Sequence, residues 1–471
     1  MALVGSPALS LMSSGVRRLP VRASVESLDL EPIPLVRGVV RLPGSKSLSN
    51  RALLLAALCE GETLVENILD SDDTERMLEA LEILGVKVDR NDDDRSVLVT
   101  SVGSFFPCQS AELFLGNAGT AMRPLAAVLA AMGGDFTLDG TPRMRERPIA
   151  DLVDALKELG CDVDCTQNAD FGGCPPVKIG ANKNLGGTKK CRVSGKTSSQ
   201  FLSALLLASP LFKSDVDIEI IDELISAPYV LLTIDLMRRF GVEVDYDPKA
   251  LNVFKIRGGQ KYDSSINLKN KYFVEGDASS ASYFLAAAAM TGGPLTVVGC
   301  GSESTQGDVR FAEVLGKMGA TVDLQPTNIT VSRQMENPLI GIDVDCLDIP
   351  DAAMTLAAVA LVAEGPTTIR NVGSWRVKET ERMKAIVSET SKLGADVFEG
   401  DTHCVITPPS KPTPNVRIET YDDHRIAMTF ALAACAGVPV TILDPKCTSK
   451  TFPTYFDELK RVSVLEEDQA P

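Results

Sequence analysis

The run Arg376-Val377-Lys378-Glu379-Thr380-Glu381-Arg382 sets carboxylates among cations. On a helix, Lys378 and Arg382 share one face at i and i+4 with Glu379 adjacent, an arrangement that holds a phosphate or carboxylate beside a proton donor. The plainer account is a solvated helix laced by pairs such as Lys378 with Glu381 or Glu379 with Arg382. Two more compact basic sets, Arg143-Met144-Arg145-Glu146-Arg147-Pro148 and Ser449-Lys450-Thr451, add candidates for holding a small anion.

Polar clusters also recur at the starts of Ala/Leu-rich runs. They are Gly44-Ser45-Lys46-Ser47, Gly116-Asn117-Ala118-Gly119-Thr120, Thr197-Ser198-Ser199-Gln200, Gly276-Asp277-Ala278-Ser279-Ser280, Pro350-Asp351 and Asp422-Asp423-His424-Arg425. Taken singly, each reads as an N-cap that satisfies the orphan amides of a first helical turn. Together they suggest more, because a helix N-terminus carries partial positive charge and several of these starts also hold Lys or Arg. N-termini facing one cleft would attract a multiply charged anion. His424, inside one such start, either orients its neighbours or acts in catalysis.

A repeat would bring these starts together. One helix-to-strand exit recurs at a spacing of roughly 70 to 80 residues. Its copies are Gly85-Val86-Lys87-Val88, Gly160-Cys161-Asp162-Val163, Gly241-Val242-Glu243-Val244, Gly319-Ala320-Thr321-Val322 and Gly394-Ala395-Asp396-Val397, and a sixth copy runs off the C-terminus. Between start and exit lies a β-branched strand: Thr63-Leu64-Val65, Phe136-Thr137-Leu138, Val216-Asp217-Ile218, Leu295-Thr296-Val297-Val298, Thr367-Thr368-Ile369 or Val440-Thr441-Ile442. A second, amphipathic helix then leads to the Gly, as in Glu75 to Leu84 or Arg310 to Met318. Each unit reads as strand, helix, strand, helix, strand. Six such units in 471 residues predict an α/β chain with two or more cores. The Ala/Leu runs, about ten residues each, are too short to cross a membrane.

Composition narrows the ligand. With 63 Asp and Glu against 47 Lys and Arg, the net charge of −16 argues against an extended nucleic-acid surface, so the expected anions are small. Eleven cysteines in a chain of this size suggest free thiols, and no required disulfide is expected. Cys161, Cys165, Cys174 and Cys191 lack paired C-x-x-C spacing, and His403 and His424 are the only histidines, so no metal site is expected. Gly195-Lys196-Thr197 resembles the end of a P-loop, but Lys190 occupies the first Gly position; Gly299-Cys300-Gly301 begins a dinucleotide fingerprint, but Ser304 replaces its third Gly. Neither supports a nucleotide cofactor. Residues 1–24 contain Arg17, Arg18, Arg22 and several Ser, with no acidic residue before Glu26. That is the composition of an organelle transit peptide, processed after Val21-Arg22-Ala23, or of a simple frayed terminus.

Leu42-Pro43-Gly44-Ser45-Lys46-Ser47-Leu48-Ser49-Asn50-Arg51 and Leu115-Gly116-Asn117-Ala118-Gly119-Thr120-Ala121-Met122-Arg123-Pro124, with the run from Arg376 to Arg382, closely resemble the 5-enolpyruvylshikimate-3-phosphate synthase family, especially its plant-type members. The resemblance continues through Val274-Glu275-Gly276-Asp277-Ala278-Ser279-Ser280, Tyr421-Asp422-Asp423-His424-Arg425 and Lys450-Thr451-Phe452-Pro453, covering about residues 30 to 460. It implies the two-domain enolpyruvyl transferase fold, each domain three repeated βαβαβ-type units in a pseudo-threefold, inside-out α/β barrel. The implied inner domain is 44–274, the outer one 25–43 plus 275–471, with hinges near Pro43 and Val274. The implied reaction transfers the enolpyruvyl group of phosphoenolpyruvate to the 5-hydroxyl of shikimate 3-phosphate, on the route to chorismate and aromatic amino acids, without a metal or organic cofactor. A soluble plastid monomer is implied too.

By resemblance, Asp351 is the general base on the 5-hydroxyl, Glu379 delivers a proton to C3 of the donor, and Lys46 contacts both substrates. Arg147, Arg382, Arg425 and Lys450 resemble the phosphoenolpyruvate clamp, with Gly119 and Gln200 lining it. Ser47, Arg51, Ser198, Ser199, Gln200, Ser226, Tyr229, Asp351, Ser374 and Lys378 would hold shikimate 3-phosphate. Gly119, Thr120 and Pro124 stand as in members sensitive to glyphosate, which is expected to compete with phosphoenolpyruvate. The departures are Lys196, where relatives carry a small polar residue, and Lys446 in place of a Gly.

Two alternatives are weighed against this reading. An enolpyruvyl transferase acting on a UDP-amino sugar shares fold and donor, but the Gly44 to Arg51 motif matches the shikimate type and no matching loop Cys is found. A non-catalytic anion binder gains nothing from Asp351 and Glu379, which would repel its ligand.

Overall fold

The computed structural model describes residues 27–464 except 92, 94, 104, 169–171 and 182–188. The expected transit peptide and its processing site lie outside the described residues.

All six anticipated strands form, each at the centre of its own sheet. Asp135–Asp139 pairs parallel with Ser110–Phe114 and antiparallel with Gly172–Ile179, which pairs antiparallel with Val163–Asn168. The same order of one parallel and two antiparallel pairings recurs around Val216–Ile220, Glu60–Glu66, Leu295–Val298 and Thr367–Arg370. Each of these units therefore has one strand more than the sequence pattern suggested. The addition is the return arm of a hairpin, such as Ser96–Val102 or Asn328–Ser332, β-branched and inserted between the exit strand and the central one.

The five exit glycines share one backbone state. Gly85, Gly160, Gly241, Gly319 and Gly394 have φ of 90°, 86°, 82°, 108° and 94°, the left-handed C′ conformation in which a Cβ is strained. Each follows the end of a helix and turns the chain outward into the exit strand.

The sixth unit is completed from the other end of the chain. Ser27–Leu30 pairs antiparallel with Val440–Leu443, whose other edge pairs parallel with Val416–Ile418. A four-residue strand with no local partner carries no signal of this pairing in the sequence.

The Ala/Leu runs become central helices. Lys46–Leu58, Gly119–Met132, Ser199–Ala208 and Ala278–Thr291 are buried on nearly every side, and His424–Ala431 is buried throughout. The sheets, by contrast, alternate between buried and accessible side chains, as in Asp135–Asp139 and Leu295–Val298. The buried apolar residues form two separate clusters. One draws on Leu48 to Val274; the other combines Ile33 to Leu42 with Ala278 to Val462.

Two crossings join the clusters, and each follows a strand that closes a sheet of the cluster the chain is leaving. Lys271–Phe273 closes the sheet of Glu60–Glu66, and Gly38–Arg41 closes the sheet of Leu295–Val298. The crossings lie side by side, with Gly44 bridged to Gly276, Ser45 N donating to Glu275 O at 2.9 Å and Asp277 N to Pro43 O at 2.9 Å.

Candidate active site

All six polar helix starts contribute side chains to one cleft between the two cores. Three are capped by their own side chains: Ser198 accepts from Gln200 N, Asp277 from Ser280 N and Asp423 from Arg425 N. The starts at Ser45, Ala118 and Asp351 make no such bond. Capping alone thus explains only half of the clusters, and the uncapped first turns leave amides for something else.

Two carboxylates organise the centre. Asp351 Oδ1 accepts from Arg382 Nη1 at 3.0 Å and lies 3.8 Å from Lys378 Nζ, while its Oδ2 accepts from Arg425 Nη2 at 3.1 Å. Glu379 Oε2 accepts from Arg382 Nη2 at 2.7 Å, and Oε1 lies 3.9 Å from Lys46 Nζ. Burial raises the pKa of both, but the cations outweigh it. Arg425, Lys378 and Arg382 hold Asp351 well below the carboxylate range; Arg382, Arg147, Lys450 and Lys46 do the same for Glu379.

Asp423, itself fully buried, receives Arg382 Nε at 2.7 Å and fixes the guanidinium from behind. Arg147 donates to Asn117 O and Oδ1, both at 3.0 Å, and its Nε has no partner. Lys46 and Lys450 share Asp73, at 3.4 Å and 3.6 Å. Arg51 is anchored through Thr233 at 2.9 Å. A Cβ on Gly119 would lie 2.8 Å from Arg147 Nη2 and closer still to Arg123.

Of the residues singled out in the sequence, Lys46, Ser47, Arg51, Gly119, Arg147, Ser199, Gln200, Ser226, Tyr229, Asp351, Lys378, Glu379 and Arg425 line the cleft. Arg382 and Lys450 act on its wall through the pairs above. Ser198 caps its helix, and Ser374 lies in the 3-10 turn Gly373–Val377. His424 is fully buried, with neither ring nitrogen hydrogen-bonded; burial, then Lys46 and Arg425, push its pKa well below the usual value. It is therefore neutral.

The helix expected over the run Arg376 to Arg382 is broken. Gly373–Val377 is a 3-10 turn, Lys378 is extended, and the helix begins at Arg382. Long-range anchors override the local pattern: Trp375 Nε1 donates to Pro350 O at 2.6 Å, Arg376 reaches Gly400 O and Asp401 O, and Glu381 caps the new helix through Lys384 N. The Glu379–Arg382 pair exists, but inside the cleft; Lys378 faces Asp351, and Glu381 pairs with Arg376 at 2.6 Å.

Sequence reasoning missed Asp73, Asn117, Arg123 and Asp308. Asp308 is buried in the cleft wall, accepts from Tyr229 OH at 3.2 Å and from Ser279 Oγ, and leaves Oδ1 without a partner. Burial and then Asp351 raise its pKa to about 7, against Arg425 and Ser279. Arg123 sat in a motif quoted for resemblance alone; burial and then Arg147 lower its pKa to about 9, and its Nε and Nη1 are unpartnered.

The sequence matches the family of EPSP synthase (3-phosphoshikimate 1-carboxyvinyltransferase) over residues 30–459. The chain belongs to the EPSP synthase family. It is 53% identical over 473 residues to the chloroplastic 3-phosphoshikimate 1-carboxyvinyltransferase of Arabidopsis thaliana, covering 97% of this chain and 89% of that one. It is also 53% identical over 439 residues to the enzyme of that name from Pseudoalteromonas translucida, covering 93% and 100%. An EPSP synthase structure from Acinetobacter baumannii superposes with a TM-score of 0.74 at 25% identity, covering 93% of this chain and 98% of that one. An enolpyruvyl transferase from Streptomyces tendae superposes at 0.68 with 18% identity, again covering 93% and 98%. The enolpyruvyl transferase fold is thus common to the family and to this chain. Among the described residues, no group of three or more His, Cys, Asp or Glu is placed to hold a metal ion, and no helix is long and apolar enough to cross a membrane.

Proposed function

We propose that this chain transfers the enolpyruvyl group of phosphoenolpyruvate to the 5-hydroxyl of shikimate 3-phosphate and releases inorganic phosphate. One observation carries the reading: Glu379 and Asp351 share the Arg382 guanidinium within a cleft rimmed by cations from both cores. A phosphate-and-carboxylate donor and a second phosphate need that charge, and addition followed by elimination needs two proton carriers.

In the addition, Asp351 takes the proton of the 5-hydroxyl as its oxygen bonds to C2, and Glu379 gives a proton to C3. In the elimination both roles reverse: Glu379 takes a proton back from C3 as the C2–O bond to phosphate breaks, and Asp351 returns its proton to the phosphate departing between the cations. Arg147, Arg382, Arg425, Lys450 and Lys46 would hold the donor, whose planar carboxylate suits the Arg forks. Ser47, Arg51, Ser198, Ser199, Gln200, Ser226, Tyr229, Ser374 and Lys378 would hold the acceptor. His424 enters as a buried neutral group whose pKa is held down by burial and by Lys46. No metal or organic cofactor is required by this scheme.

The proposed domains are 44–274 and 25–43 plus 275–471, each with three units in pseudo-threefold array, a division supported by the two apolar clusters and the paired crossings. Hinging at the crossings would open the cleft to substrates and close it against water. Plastid location is supported by the chloroplastic names of the plant relatives. We also propose that the chain is a monomer and that glyphosate competes at the donor end. Phosphate release tests the reaction. It should require both substrates and fall with glyphosate in competition with phosphoenolpyruvate; release from the donor alone, or none from the folded protein, would overturn the assignment.

A further inference from the structure

Arg143 belongs to the basic run noted in the sequence, yet the reaction above gives it no role. Its neighbours divide clearly: Arg145 turns away to pair with Asp139, while Arg147 faces the cleft beside Asn117. Arg143 does neither. From the side of the first core it crosses to the second, where Nη2 donates to Lys378 O at 2.9 Å and Nε to Glu379 O at 3.2 Å. Its remaining terminal nitrogen, Nη1, is steadied by Glu146 at 2.8 Å.

Those two carbonyls belong to the stretch between the 3-10 turn and the helix starting at Arg382, where no regular ladder holds them. The same two residues carry Lys378 Nζ, 3.8 Å from Asp351, and the Glu379 carboxylate, 2.7 Å from Arg382. A guanidinium can donate to both carbonyls and to a carboxylate at once because its five N–H bonds diverge in a fixed plane; a Lys ammonium lacks that geometry.

We propose that Arg143 is a positioning residue, a clamp that engages the Lys378–Glu379 backbone when the two halves meet and so aims Glu379 and Lys378 at the reacting atoms. This rests on the enolpyruvyl-transfer reading. It makes correct aim of the proton carrier depend on closure, because the clamp and the carboxylate it aims come from opposite sides of the cleft. Arg143 itself touches no substrate.

The test compares Arg143→Ala and Arg143→Lys with the unaltered protein in steady-state phosphate release and in thermal unfolding without substrates. Arg143→Ala should lose about 10- to 100-fold in kcat while each KM stays within about threefold, since misaiming by an ångström costs rate more than binding. Its unfolding midpoint should move by less than about 2 °C, because the contact spans the cleft rather than a core. Added methylguanidinium should restore part of the lost kcat in Arg143→Ala, and Arg143→Lys should stay impaired. Unchanged kcat in Arg143→Ala, or a loss that follows a lowered unfolding midpoint and ignores methylguanidinium, would overturn the clamp alone. An unaltered protein that releases no phosphate would overturn the reaction reading and the clamp with it.

Discussion

Arg382 Nη2 lies 2.7 Å from Glu379 Oε2, buried on both sides, and the same guanidinium reaches Asp351 through Nη1. One side chain, itself pinned by Asp423, thus sets the distance between the two proposed proton carriers. With Arg147, Lys450 and Lys46 it also holds the Glu379 pKa well below the carboxylate range.

That pairing predicts proton uptake. Donor phosphate and carboxylate would engage Arg147, Lys450 and Lys46, which after Arg382 hold the Glu379 pKa down, and would add negative charge beside it. Its pKa should rise toward neutrality and a proton should bind with the donor. Calorimetry in buffers of different ionisation enthalpy should show net uptake near pH 7, and Glu379→Gln should abolish most of it. Equal heats in all buffers would contradict the acid role.

Removing either carboxylate should spare binding and cost rate. Asp351→Asn and Glu379→Gln are each expected to lower kcat by about 10² to 10⁴, the usual worth of a positioned acid or base. Substrate affinities should change far less. Near-normal turnover in either variant with both substrates bound would remove that residue from the scheme.

Gly119 matters for space. An added Cβ meets the Arg147 and Arg123 guanidinium groups, so Gly119→Ala should push Arg147 out of line with the donor. The donor KM should rise by about tenfold, roughly 1.4 kcal/mol, with the acceptor KM little changed. Glyphosate inhibition should weaken in parallel. A variant whose acceptor KM rose instead would place the crowded end on the wrong substrate.

Much of this site was legible in the sequence, and the omissions have physical causes. The six helix starts, the strands after them and the exit glycines rest on local signals, and they formed, although the run after Asp351 is a 3-10 turn, four α-helical residues and a second 3-10 turn. The helix through Lys378 did not, because Trp375, Arg376 and Glu381 are each held by distant or competing partners that spacing cannot reveal. Ser27–Leu30 was invisible because its partner lies at the far end of the chain. Asp73 and Asp308 carry no local signal, since each stands just ahead of an anticipated amphipathic helix; only the tertiary fold sets Asp73 between Lys46 and Lys450, and Asp308 against Tyr229.

Asp308 yields a pH prediction. Its pKa in the fold, about 7, exceeds its ordinary 3.8, so its contribution to stability is fully present below about pH 4 and is lost as pH rises toward 7. The facing groups are Asp351, Asp277, Tyr229 and Arg425. His424 slopes the other way: buried and neutral, it costs stability as pH falls below its ordinary 6.5. Only a comparison isolates Asp308. In urea unfolding, Asp308→Asn should gain on the unaltered protein as pH rises from about 4 to 8. A difference independent of pH would show that Asp308 stays ionised.

The most direct measurement of the central claim is the reaction run in D2O with phosphoenolpyruvate and shikimate 3-phosphate, followed by proton and phosphorus NMR. Protonation at C3 by Glu379 and its reversal during elimination predict inorganic phosphate, an enolpyruvyl ether at the 5-oxygen and solvent deuterium in its vinyl methylene. A product whose methylene carries no deuterium, or phosphate released without the ether, would contradict transfer by addition and elimination at this site.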